Sequence, residues 1–198
     1  MPRFLVTAGL LAGVFSGSAA IGFGLLCLLF KAGLLGGIGI LFYRGLILAL
    51  LAAIATGLLM AALIARLRRP GLQLRDAAAA AIVSFSLNVA FLVVVPVTVD
   101  RSISVFLLGR LASTGASAYT ADEVRRMFVD GYVGEQRQIE RRLDEQLASG
   151  NIERVGERYR ISAQGLAFIR TAQAAAWLFD TDTRLVAPQP ASNPPPAR

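Results

Sequence analysis

Two carboxylate pairs, Asp122/Glu123 and Asp144/Glu145, come closest in this chain to an acid–base arrangement. Paired carboxylates do such work when their environments push the two proton affinities apart. Here Arg125 and Arg126 follow the first pair, and Arg141 and Arg142 precede the second, on helical patterns that read as charged surface. The chain has no histidine, which removes the usual general base, most zinc sites and a Ser-His-Asp triad. Its single cysteine, Cys27, lies in an apolar run and allows neither an intrachain disulfide nor Cys-Xaa-Xaa-Cys redox chemistry. No glycine-rich phosphate loop is present in the polar half. The expectation is a non-enzyme with no catalytic residue, no metal site and no cofactor.

The elements that remain are set by charge distribution. Between Met1 and Asp76 one acid faces seven bases, and between Ala77 and Val99 there is no charge. From Asp100 onward twelve acids meet thirteen bases. A bilayer crossing takes ~20 apolar residues. Three runs satisfy this, at about 4–30, 43–65 and 77–97, and they define a transmembrane domain over 1–99. Ser18-Ala19-Ala20 has the look of a cleavage site, but the apolar run continues to Phe30, so the first run reads as an uncleaved anchor. Residues 31–44 read as a tight turn plus an interfacial or early helical entry into the second span, with Tyr43 and Arg44 at headgroup level. The 66–75 loop carries four bases against two in the 31–44 loop. The positive-inside rule then puts the N-terminus in the cytoplasm and the C-terminal domain outside a plasma (bacterial inner) membrane.

Gly9, Gly13 and Gly17 recur every four residues, with Ala12, Ser16 and Ala20 beside them. Such a row lets helix backbones approach closely. Another span of this chain, a second copy or a foreign membrane protein can fill it. In the third run Ser84, Ser86 and Asn88 are polar, and Asn88 needs a hydrogen-bond partner at mid-membrane. They read as structural glue between helices, a polar ligand being the alternative.

The polar half has a different rhythm. Asp100 is placed to cap a helix to about Leu111. Thr120-Ala-Asp-Glu123 is a capping box. Gly131 to Gly134 reads as a turn. Gln136 to Ser149 is an amphipathic helix with Ile139, Leu143 and Leu147 along one side. Two short strand patterns flank Gly156-Glu157, and Ser162 caps a last helix in which Trp177 reads as core, contact of Trp177, Leu178 and Phe179 with the membrane interface or a partner being the alternative. Residues 183–198 are a proline-rich tail expected to be disordered.

The segments Thr120–Val124, Ile139–Leu147, Gly150-Asn-Ile152, Arg158-Tyr-Arg-Ile-Ser162 and Gly165 resemble the winged helix-turn-helix family. The resemblance covers about residues 100–180, within a domain that spans 100–182. It implies a mostly α fold: three transmembrane helices followed by a small α+β winged-helix-like domain. It also implies a recognition helix and wing carrying Arg137, Arg141, Arg142, Arg154, Arg158 and Arg160, as a docking or DNA face. Six acids, Glu135, Glu140, Asp144, Glu145, Glu153 and Glu157, cancel that charge. DNA affinity rests largely on phosphate neutralisation, so DNA is disfavoured, though not eliminated, as a partner. The leading expectation is a non-catalytic interaction or accessory subunit of a membrane complex. Its partners are the lipid bilayer and a membrane protein or a second copy. A membrane-tethered winged-helix transcription regulator is one alternative. An accessory subunit of a lipid- or glycan-handling membrane enzyme is another.

Overall fold

The computed structural model describes residues 2–187 apart from 70, 114, 116 and 117. Residues 188–198 of the expected tail, and most of the expected 113–117 loop, lie outside the described residues. Three long helices make up the first half: α1 (Pro2–Lys31), α2 (Leu41–Leu67) and α3 (Leu74–Leu92). α3 continues through a π-helical segment, Val93–Val97, into α4 (Thr98–Arg101), giving one rod from Leu74 to Arg101. All three rods are long and apolar enough to cross a bilayer, as expected.

Pro96 explains the π segment. It has no N–H to donate, so the regular ladder is interrupted there. The wider register absorbs the gap, and the Thr98 hydroxyl donates to the Val93 carbonyl at 2.9 Å. The helix then breaks at Ser102, whose Oγ accepts the Val105 N–H at 3.1 Å and opens α5 (Ile103–Ser113). Asp100 lies inside α4 and does not cap α5.

Each of α1, α2 and α3 packs against the other two, and small residues set the spacing. One core cluster holds Val14, Met60, Ile64, Ala77 and Ala80; the other holds Leu26, Leu48, Ala49 and Ala52. A Cβ at Gly45 would meet the buried Leu92 side chain at 2.5 Å, and one at Gly57 would meet Ala81 Cβ at 3.0 Å. Backbones this close gain dispersion contacts that larger residues would prevent.

The 31–44 segment is a turn followed by entry into α2 at Leu41, as expected. Arg44 holds it. Its Nε donates to the Leu34 carbonyl at 2.9 Å, and its guanidinium lies 5.1 Å from the Phe30 ring centre. The C-terminal end of α1 thus gains a cation beside its last carbonyls, and Arg44 Nη2 also donates to that of Phe30 at 3.5 Å. At the opposite ends of these helices Gly71 (φ +100°) passes Thr7; a Cβ on Gly71 would meet Thr7 Oγ1 at 2.9 Å.

The chain divides into two compact units, Met1–Ser117 and Ala118–Arg198. The division falls after α5. The second unit opens with α6 (Ala121–Met127), and its capping box is present: Thr120 N–H donates to Glu123 Oε2 at 2.8 Å and Glu123 N–H to Thr120 Oγ1 at 3.3 Å. A π-helical segment, Phe128–Glu135, replaces the expected turn at Gly131–Gly134. Phe128 and Tyr132 stack on its flank at 5.1 Å. Arg137 (φ 49°) ends the segment, so α7 (Gln138–Ala148) starts two residues later than its apolar pattern suggested. Gly150 (φ 71°) closes α7, with Asn151 N–H donating back to the Gln146 carbonyl at 3.0 Å.

Strands β1 (Ile152–Val155) and β2 (Arg158–Ile161) pair antiparallel, Ile152 opposite Ile161, around the expected Gly156-Glu157 turn. Ser162 joins hairpin to helix: its Oγ donates to the Gly150 carbonyl at 2.7 Å and accepts the Gly165 N–H at 3.0 Å. α8 (Ala163–Leu178) follows. Trp177 is not core; it is 82% exposed. Among the described residues of this unit, Ala176 is the one buried apolar side chain apart from glycines.

Candidate interaction surfaces

α1 has two faces of different use. Val14, Ser18, Gly22 and Leu26, four residues apart, are buried against α2 and α3. The row Gly9, Gly13, Gly17 with Ala12, Ser16 and Ala20 lies elsewhere on the helix. A Cβ added at any of these three glycines would meet nothing within 4 Å, and Ala12, Ser16 and Ala20 stay exposed. The chain therefore packs α1 through one small-residue register and leaves the other open.

The polar residues of α3 separate in the same way. Ser84 is fully buried and its hydroxyl donates to the Ser18 carbonyl at 3.0 Å. Asn88 is 2% exposed, and its Nδ2 has no hydrogen-bond partner among the described residues; the same holds for Ser18 Oγ. Ser86 points outward and donates to its own Ile82 carbonyl at 3.0 Å. Gly22 makes room for this cluster, since a Cβ there would collide with Ser84 Oγ. Sequence reasoning missed Ser18, Gly22 and Thr56, whose hydroxyl donates to the Ala52 carbonyl at 2.8 Å. The fourfold spacing of residues 14, 18, 22 and 26 was the signal for the first two.

The six arginines of the helix–hairpin region do not form a free cationic face. Glu145, with only 8% of its side chain exposed, binds Arg142 at 2.7 Å and Arg141 at 3.5 Å. Burial pulls the Arg142 pKa down. The hydrogen bond and charge of Glu145, helped by Tyr132, outweigh this and hold it above the usual arginine value. Arg137 pairs with Glu140 at 3.6 Å and Arg160 with Glu153 at 2.8 Å. Arg154 Nε donates to the Gly156 carbonyl at 3.2 Å. Arg158, at the hairpin turn, forms no ion pair among the described residues. Gln138, at the start of α7, is buried, and its Oε1 has no hydrogen-bond partner among the described residues.

Exposed apolar residues accumulate instead along α8 and just beyond it. Leu166, Phe168, Trp177, Leu178 and Phe179 are all exposed. Among the described residues no group of three or more His, Cys, Asp or Glu is placed to hold a metal. No family model matches the chain, and no curated protein or solved structure is similar enough to it to suggest a role.

Proposed function

We propose that this chain is a non-catalytic subunit of a membrane assembly, in which a winged-helix-like domain binds a protein partner. The single observation that carries the reading is the end of α8. Trp177, Leu178 and Phe179 are 82%, 67% and 72% exposed, three consecutive uncovered apolar side chains, the aromatic ones of the types enriched at interaction sites. The arginine face gives the complementary support. Its cations are mostly engaged with acids of the same chain, which suits a protein surface better than a phosphate backbone. The open small-residue row of α1 supports a second contact inside the bilayer, with a partner helix. By loop charge the 66–75 loop is cytoplasmic and the C-terminal unit lies outside.

The test is site-specific photo-crosslinking in cells, with the crosslinker at Trp177 and at Gly13 in separate variants. Discrete adducts at Trp177 support the reading; labelling of lipid and solvent alone at Trp177 overturns the protein-docking role. Arg158 and the helix–hairpin–helix order favour one second reading, a membrane-tethered DNA regulator. A reporter fused to the C-terminus separates the two, because a domain outside the cytoplasm never meets the chromosome.

A further inference from the structure

The α2–α3 side of the bundle holds a groove of about 430 Å³ lined by these two helices alone, with Gly57, Ala61, Leu74, Ala78, Ala81 and Phe85 among its walls. Small residues line it, and at Gly57 the helices are close enough that an added Cβ would meet Ala81 Cβ at 3.0 Å. Along α3 the groove runs from Leu74 to Phe85, about 16 Å at the helical rise. Its Leu74 end opens directly beneath the 66–75 loop.

That loop is strongly cationic. Arg66, Arg68 and Arg69 are exposed and have no side-chain partner among the described residues. Arg75 has Asp76 at 4.0 Å, but Asp76 Oδ2 is already accepting the Gln73 N–H at 2.7 Å. The α3 N-terminus is closed by its own capping box, so the arginines carry the positive potential.

We infer that the groove and loop together bind one anionic phospholipid, its phosphate on Arg66, Arg68, Arg69 and Arg75 and an acyl chain in the α2–α3 groove. A phospholipid joins a phosphate and a chain covalently, and basic sites at helix ends are suited to such headgroups. A transmembrane helix from a partner would fill the apolar groove but leave the arginines uncompensated. A second copy of this chain does not supply the missing charge, because its C-terminal half holds twelve acids against thirteen bases. The site uses no residue of α8 or of the open row of α1, so it stands or falls apart from the protein-docking role.

The experiment is native mass spectrometry of the full chain in detergent, titrated with dioleoyl phosphatidylglycerol or dioleoyl phosphatidylcholine. One phosphatidylglycerol binds tightly and phosphatidylcholine weakly. Arg68→Ala with Arg69→Ala lowers phosphatidylglycerol affinity roughly fivefold per arginine. Arg68→Lys with Arg69→Lys retains most of it, which separates charge loss from misfolding. Ala78→Phe, at an exposed groove wall, weakens the lipid on the order of tenfold and leaves the thermal melt unchanged. Equal binding of the two lipids overturns the proposal. So does equal competition by inorganic phosphate, which would leave a headgroup contact without a chain site. Loss of a higher-order species rather than lipid in Ala78→Phe would place a helix in the groove and overturn it as well.

Discussion

Ser84 donates a hydrogen bond to the backbone carbonyl of Ser18, joining α3 to α1 at the level where Gly22 has no side chain. The contact depends on that missing atom. Gly22→Leu must push Ser84 and Asn88 aside, an overpacking effect of about 1–3 kcal/mol. Its thermal melt in detergent should fall clearly, while Gly13→Leu, on the open face, should melt like the parent. If Gly13→Leu still removes a crosslinked partner in cells, the two faces of α1 serve two different contacts.

Gly165 provides the corresponding test in the second unit. A Cβ there would collide with the Asn151 carbonyl, a backbone atom that cannot rotate away. Gly165→Ala should weaken the unit by about 1–3 kcal/mol, with hydrogen exchange in α8 accelerated. Gly109→Ala in α5 is the control, since its Cβ would enter open space and alanine is the better helix former. Comparable losses in both would contradict the close contact.

Glu145 holds two arginines with one buried carboxylate. Glu145→Gln leaves Arg142 partly buried without its counterion and should cost about 1–3 kcal/mol of stability. It also raises the charge of the α7 face by one. Nonspecific DNA binding, measured by fluorescence anisotropy at low salt, should rise in the variant from a near-absent level in the parent. Strong, salt-sensitive DNA binding by the parent would instead favour the regulator.

The start of α6 should respond to acid. The Thr120 backbone N–H, then the Thr120 hydroxyl, holds the Glu123 carboxyl below the ordinary glutamate range. A depressed folded value means the contribution is complete above the unfolded value, about 4.3, and is lost as pH falls through the folded one. Amide exchange in α6, followed on acidification, should rise below that range; Glu123→Gln should remove most of the pH response.

How much of this was legible in the residues varied with the physics behind each element. Charge-free runs of ample length revealed three rods, and the Thr120/Glu123 box and Gly156 turn revealed local structure, because each depends on neighbours in sequence. The orientation of α1 was harder. Gly9–Gly13–Gly17 and Val14–Ser18–Gly22–Leu26 are both spaced for packing, and only tertiary contact decides which register α2 and α3 occupy. Trp177 illustrates the same limit: an aromatic on an apolar stripe is core only if a neighbouring element covers it. The neutralisation of Arg141 and Arg142 by Glu145 was visible in outline from their spacing. The basic loop was read for orientation, while its groove needed Gly57 and Ala81 to be brought together from two helices.

The π segment at Val93–Val97 changes what a helical wheel can say about its surroundings. A wheel assumes about 100° per residue throughout. One extra residue in the turn beside Pro96 offsets all later positions by about that angle. Residues from Thr98 to Arg101 therefore present a different azimuth from the one obtained by extending α3. Deleting a single residue within the segment would preserve composition and length almost unchanged, yet rotate Asp100 and Arg101 to another side of the rod.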